Sequence, residues 1–203
     1  MWQLFLKGGP VMWPILLCSI FALAIILEKL YFLHKNSPNT QEFLKNIKEK
    51  LKHRDIKEAI KLCDKSETPI SRILKQVILK SDRSRQEIKE AVEEVALYEI
   101  PRIEKNLSML ATIAHISPLL GLLGTVTGMV RCFYTIQIKS GSFNPVSAAD
   151  LAGGIWEALL TTVFGLMVAI PTFVAYNYLV NRVNHLILEM EQASTDLVNF
   201  LTE

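Results

Sequence analysis

The sequence predicts an all-α polytopic membrane protein with three transmembrane helices, whose long helices extend into a helical cytoplasmic domain. Two observations support this prediction. Half of the 203 residues are hydrophobic, and most of the charged residues lie between His34 and Lys105. The remaining chain therefore contains long uncharged runs, which are typical of membrane spans.

Three such runs are present. The first extends from Pro10 to Leu27 and, at about 1.5 Å per residue, reaches roughly 27 Å, close to the hydrocarbon thickness of a bilayer. The second lies between Lys105 and Arg131. The third lies between Asp150 and Arg182 and contains one formal charge, Glu157. This third helix approaches about 46 Å in length, so we expect it to project from the bilayer at one end.

The basic residues that flank these runs predict the orientation. Lys29 and Lys35 follow the first run, and Arg102 and Lys105 precede the second, which places the block between them in the cytoplasm. The predicted organisation is a periplasmic segment at 1–9, transmembrane helices at 10–33, 106–133 and 151–181, a cytoplasmic helical domain at 34–105, a periplasmic loop at 134–150 and a cytoplasmic C-terminal helix at 182–203.

The cytoplasmic block has the apolar spacing of amphipathic helices, as in Ile70, Ile73, Leu74 and Val77. Ser84 and Glu87 form a capping-box pattern that predicts a helix start. Apolar residues then recur at helical intervals towards the second span. They are interrupted only by Pro101, so we expect a kinked helix that runs from the cytoplasm into the membrane.

Several functional classes are disfavoured. The net charge of +2 lacks the basic excess that nucleic-acid binding needs. The sequence offers no nucleophile and base pair, metal cluster or phosphate loop, so we expect neither an enzyme nor a bound cofactor or metal. The three cysteines are isolated along the chain, which supports neither a zinc site nor a disulfide framework.

Small residues share one face in each of the last two spans. On a helical wheel they fall within one sector: Ser117, Gly121, Gly124, Thr125 and Gly128 in the second span, and Gly154, Ala158, Thr161, Thr162, Gly165 and Ala169 in the third. Small faces allow close helix packing in lipid, and we expect the chain to form a homo-oligomer through them. They could equally line a narrow passage, which would require several copies of the chain.

Glu157 is the only carboxylate inside one of the three long apolar runs. Burying it in the bilayer costs several kcal/mol unless it is neutral, hydrated or partnered, so it is a functional candidate. The alternative is that the long third helix places Glu157 near the outer interface, where water reaches it.

The spans GGPVMWPILLCSIFALAIILEKL, AHISPLLGLLGTVTGMVRCF and LAGGIWEALLTTVFGLMVAIPTFVAYNYLVNRV resemble the MotA/TolQ/ExbB proton channel family. The paired signatures SPLLGLLGTVTGM and GIWEALLTTVFGLMVAIP are specific for this family. The resemblance implies a homopentamer of long helices around two single-span partner helices of the ExbD or TolR type, in which the partner supplies the proton-carrying aspartate.

The resemblance also implies roles for individual residues. Thr125 and Thr162 match the threonines that line the family's pore, and Glu157 matches its intramembrane glutamate. Pro118 and Pro171 match helix-shaping prolines. Position 161 is a second threonine where some relatives have alanine, so which of the two hydroxyls faces the pore stays open.

With three spans and a short N-terminus, the chain resembles the ExbB/TolQ branch of the family rather than MotA. The implied function is that of a bacterial inner-membrane motor subunit that uses the proton motive force to energise a TonB-like protein, and hence transport across the outer membrane. The alternatives are a TolQ-like subunit that acts on a TolA-like protein of the Tol-Pal system, and a non-conducting membrane scaffold. The surrounding lipid is an expected partner in each case.

Overall fold

The computed structural model describes residues 5, 7–36, 40–66, 68–140 and 147–202. Within this part of the chain the secondary structure is helical and contains no strand. The helices are α1 (Met12–Lys35), α2 (Thr40–Lys52), α3 (Ile56–Ser66), α4 (Pro69–Leu79), α5 (Arg85–Glu104), α6 (Leu107–Ser140) and α7 (Ala148–Thr202). The all-α prediction is therefore confirmed.

Among the described residues, three helical stretches are long and apolar enough to cross a membrane. They lie within Met12–Lys52, Arg85–Lys139 and Leu151–Thr202. The helices extend past the expected span ends, since α6 continues to Ser140 and α7 passes without interruption through residues 181 and 182. Much of the expected segment 1–9 and the connection at 141–146 lie outside the described residues.

The chain divides into two compact units. One, the apolar unit, comprises Met1–Glu28 and Asn106–Tyr178, and the other, the charged unit, comprises Lys29–Lys105 and Leu179–Glu203. The apolar unit exposes many large hydrophobic side chains, among them Leu119, Leu122, Leu159 and Val163. Such a surface is suited to lipid or to other protein subunits rather than to water.

The charged unit has its own apolar core. In α7 the buried residues follow a spacing of alternately four and three positions, which is the pattern of helices that pack with interlocking side chains. These residues are Leu179, Val183, Leu186, Met190, Ala193 and Leu197. Hydrogen bonds from Thr40 to Glu189 and from Lys48 to Asp196, 2.9 and 2.6 Å long, attach α2 to this part of α7.

The predicted capping box at the start of α5 is confirmed. The Glu87 amide donates to the Ser84 hydroxyl oxygen, and the Ser84 amide donates to the Glu87 carboxylate. The Ser84 hydroxyl, and to a lesser degree the Ser84 amide, donate to the Glu87 carboxylate and lower the pKa of Glu87 from its usual 4.5. The carboxylate is fully exposed, so the effect is local to the helix start.

The region around Pro101 differs from the continuous kinked helix that the sequence predicts. Helix α5 passes through Pro101 and ends at Glu104, and α6 begins at Leu107. Between them Asn106 has a φ of 67°. Asparagine tolerates this left-handed conformation better than most residues, and such a residue interrupts a right-handed helix.

Lys29 lies at the end of α5 inside the charged unit. Its side chain is 2% exposed, and its ammonium group donates to the Ile103 carbonyl oxygen at 2.9 Å. It also lies 5.2 Å from the centre of the Phe32 ring. Since the last carbonyls of a helix lack partners within the helix, a cation at this position stabilises the α5 terminus.

Candidate functional site

The small faces of α6 and α7 pack against each other within one chain. We call this contact the α6–α7 seam. It comprises Ser117, Gly121, Gly124 and Gly128 of α6 and Gly154, Ala158, Thr161 and Gly165 of α7. As the residue number rises along α6 it falls along α7, so the two helices are antiparallel. Within this chain the two small faces therefore contact each other, and the homo-oligomer expected to form through them stays a prediction.

The glycines of the seam allow backbone to touch backbone. A Cβ atom placed on Gly165 would lie 2.7 Å from the Ser117 carbonyl oxygen, and one on Gly128 would lie 2.8 Å from the Gly154 carbonyl oxygen. Real side chains do not approach a backbone that closely. Ala158 and Ala169 are both 4% exposed, so the α7 side of the seam excludes larger side chains.

Thr161 is fully buried in the seam. A side chain at Gly124 would overlap its hydroxyl and its Cβ atom, and its hydroxyl donates to the Glu157 and Ala158 carbonyl oxygens at 3.1 and 2.8 Å. Ser117 is equally buried and donates to the Ile113 carbonyl oxygen at 2.7 Å. Within a single chain these two hydroxyls therefore serve packing.

Thr125 and Thr162 lie at the margin of the seam and are partly exposed. The Thr162 hydroxyl donates across the seam to the Gly121 carbonyl oxygen at 3.2 Å. The Thr125 hydroxyl donates to the Leu122 carbonyl oxygen of its own helix at 2.6 Å. Both oxygens keep acceptor capacity that could face a neighbouring subunit.

The two prolines differ in position. Pro118 is partly buried beside Ser117 within α6, whereas Pro171 lies on an exposed face of α7. Neither proline ends its helix. The loss of one amide donor at each position is tolerated in helices of this length.

Glu157 forms an ion pair that the sequence analysis missed. Nη1 of Arg131 lies 2.6 Å from Oε1 and 2.8 Å from Oε2 of Glu157. The side chain of Glu157 is 12% exposed and that of Arg131 is 53% exposed. The seam register could have indicated this pair, because Gly128 meets Ala158 and Arg131 follows Gly128 by about one turn.

The N-terminal segment also contacts Glu157. Gly9 has a φ of 72°, and a side chain at this position would overlap the Glu157 carboxylate. Gly9 accepts a hydrogen bond from the amide of Met12, the first residue of α1. The carboxylate of Glu157 therefore touches the residues that lead into α1 as well as Arg131 of α6.

His115 does not join this site. It lies on an exposed face of α6, where its Nδ1 is 2.7 Å from the Ala111 carbonyl oxygen. Its ring packs edge-on against Phe173, with 6.1 Å between the ring centres. These contacts are structural.

The seam, its flanking threonines and Glu157 lie in the region that comparison with known proteins identifies. Residues 65–192 match the model of the MotA/TolQ/ExbB proton channel family. The chain belongs to the MotA/TolQ/ExbB family. The matched residues include all of α4, α5 and α6 and most of α7.

Individual relatives carry the names of both ExbB and TolQ. An ExbB homologue of Methanothermobacter thermautotrophicus is 30% identical over 93% of this chain and 66% of its own length. The biopolymer transport protein ExbB of Neisseria meningitidis is 29% identical over 95% of this chain and 93% of its own. The Tol-Pal system protein TolQ of Haemophilus influenzae is 41% identical over 52% of this chain and 41% of its own.

These coverages differ in what they support. The chain spans about two thirds of the Methanothermobacter ExbB homologue and less than half of TolQ. As a MotA/TolQ/ExbB protein, the chain is assigned to proton channels and biopolymer transport.

Proposed function

We propose that this chain is a proton-channel subunit of an inner-membrane motor, which uses the proton motive force to energise ExbB-like, TonB-dependent transport across the outer membrane. The observation that carries this proposal is the pair of partly exposed threonines, Thr125 and Thr162, beside a seam that is otherwise closed by small residues. Their hydroxyls are polar groups of the apolar unit that a neighbouring subunit could reach.

The motor requires other polypeptides. The sequence has no aspartate between Asn106 and Lys139 or between Leu151 and Tyr178, so a proton-carrying aspartate would come from a single-span partner of the ExbD or TolR type. One chain with three spans cannot enclose a passage, so several copies, a pentamer in this proposal, surround that partner. The long apolar helices supply the surface for these contacts.

The structure favours Thr162 over Thr161 as the pore residue. Thr161 is fully buried and packs into the space at Gly124. Thr162 is partly exposed, and its hydroxyl donates to the Gly121 carbonyl oxygen. Thr125 is also partly exposed. We therefore place Thr125 and Thr162 on the proton route and assign Thr161 to packing beside it. Glu157 lies one turn from Thr161 and is also assigned to the route.

A TolQ-like role is the second candidate. It is favoured by the 41% identity to TolQ over 105 residues, which exceeds the 29% identity to the meningococcal ExbB. The ExbB match covers nearly the whole chain, which is why the ExbB-like role is preferred. Identification of the single-span protein that co-purifies with this chain separates the two roles.

Proton flux tests the channel proposal. The purified complex with its single-span partner is placed in liposomes, and internal acidification is followed with a trapped pH-sensitive dye. We expect flux in the wild type. Thr125→Val/Thr162→Val should reduce the flux by about 100-fold or more, because a positioned hydrogen-bonding group has an effect of this size in a site that excludes water. Native mass spectrometry should show the assembly unchanged.

Two matched variants control this experiment. Thr127→Val removes a hydroxyl that bonds its own helix, as Thr125 does, but on another face of α6, and should keep full flux. Thr161→Val should lower the melting temperature and keep most of the flux. Full flux in the double variant would show that both threonines serve packing only. No flux in the wild-type complex would favour a non-conducting scaffold.

A further inference from the structure

Arg131 and Glu157 flank the α6–α7 seam in its last part, towards the C-terminal end of α6 and the N-terminal end of α7. Both Glu157 oxygens are within 2.8 Å of one Arg131 nitrogen. The seam contacts beside the pair are made by Gly128, Gly154 and Ala158, whose backbones and short side chains nearly touch. The ion pair therefore lies beside a contact that is built from small residues.

The two partners differ in how far the chain encloses them. Glu157 is 12% exposed and Arg131 is 53% exposed, so Arg131 has room to leave the pair while Glu157 is held in place. The residues before α1 also cover the carboxylate, since Gly9 lies against it with the left-handed φ of 72°. Removal of one partner from a nearly buried ion pair leaves an uncompensated charge, which is strongly destabilising.

Glu157 also contacts Thr161, the first of the two adjacent threonines of α7, through its backbone. Its backbone carbonyl oxygen accepts a hydrogen bond from Thr161, and Thr162 follows directly with its bond to Gly121. A proton on the Glu157 carboxylate would thus be held about 7.5 Å along α7 from Thr162 of the proposed route, at about 1.5 Å per residue. Arginine keeps its charge under all ordinary conditions, so while the pair is closed the carboxylate has a permanent counter-ion.

We propose that Arg131 is a positioning residue for Glu157: it holds the carboxylate against the residues that lead into α1, and Glu157 takes part in proton transfer only when the ion pair opens. This inference rests on the proposed channel function for its flux readout. It adds a residue, Arg131, and a closed state to that function. In the closed state the pair joins α6 and α7 and the segment that leads into α1.

Proton leak through the liposome-reconstituted complex tests the proposal. Arg131→Gln frees Glu157 and should raise the leak severalfold at a fixed pH difference. Arg131→Gln/Glu157→Gln should return the leak to the wild-type level, because no carboxylate is left to exchange protons. Arg131→Lys keeps a cation and should also stay near the wild-type level. Lys7→Gln, which removes another basic residue near the start of α1, is the matched control.

Thermal unfolding of the detergent-purified complex tests the pair independently of conduction. Arg131→Gln should lower the melting temperature by several degrees, and the second substitution Glu157→Gln should recover most of that loss. An unchanged leak in Arg131→Gln would overturn the proposal, and so would a leak that persists in the double variant, which would indicate general loosening. If the wild-type complex conducts no protons, the channel function fails. If the melting-temperature losses of Arg131→Gln and Glu157→Gln then simply add in the double variant, the ion pair is also absent.

Discussion

Gly165 shows at the scale of one residue how the seam depends on the absence of a side chain. An added Cβ would lie 2.7 Å from the Ser117 carbonyl oxygen and 3.0 Å from the Gly121 Cα atom, both of which are backbone atoms that cannot rotate away. We expect Gly165→Ala to destabilise the chain by about 1–3 kcal/mol, as overpacking does in other tight contacts. Thermal unfolding in detergent measures the effect.

Gly153 provides the matched control, because it is also a glycine of α7 and nothing lies within 4 Å of an added Cβ. Gly153→Ala should be neutral or slightly stabilising, since alanine favours a helix over glycine by about 1 kcal/mol. Equal melting temperatures for the two variants would show that the seam opens freely, which would contradict its role as a tight backbone contact.

At the scale of elements, an ion pair joins α4 to α5 inside the charged unit. Arg72 donates to both oxygens of Glu99 at 2.8 and 2.7 Å, and Glu99 is 6% exposed. Arg72→Met should destabilise the chain by about 3 kcal/mol, the low end for loss of one partner of a buried pair, because Arg72 is 41% exposed. Chemical unfolding monitored by circular dichroism gives this value.

Arg102 supplies the comparison on the same carboxylate. Its contact with Glu99 is longer, at 3.4 Å, and its side chain is 71% exposed. Arg102→Met should therefore cost less than about 1 kcal/mol, as exposed pairs do. If both variants lost the same stability, the bidentate geometry of Arg72 would not be what fastens α4 to α5.

At the scale of the whole molecule, the predicted orientation is best tested with introduced cysteines. Native Cys63 is unsuited to labelling, because it is 2% exposed and burial raises the pKa of its thiol to about 11, which keeps the reactive thiolate scarce. In a background with Cys18, Cys63 and Cys132 replaced by alanine, Asp82→Cys and Gln137→Cys introduce exposed positions.

A membrane-impermeant thiol reagent should label Gln137→Cys in intact cells and Asp82→Cys only in inverted vesicles. This outcome follows from the excess of lysine and arginine around the 34–105 block, which favours a cytoplasmic position. The reversed labelling pattern would invert the proposed topology. It would also move Glu157 and Arg131 to the cytoplasmic side of the membrane.

The sequence by itself determined the features that belong to one helix at a time. Uncharged length identified the three candidate spans, the Ser84 and Glu87 spacing identified the start of α5, and helical periodicity collected the small residues on one face. Each of these follows from local geometry, which repeats every 3.6 residues whatever the helix packs against. The signatures around Thr125 and Thr162 likewise sufficed to identify the family.

Only the tertiary structure decided which surfaces meet. Periodicity could not tell that the two small faces pack on each other within one chain, or that Thr161 rather than Thr162 is fully buried. It also left Glu157 without a partner, because Arg131 lies on another helix and beyond the uncharged run. These contacts depend on the register and direction of two helices relative to each other, and that information is absent from the pattern of either helix alone.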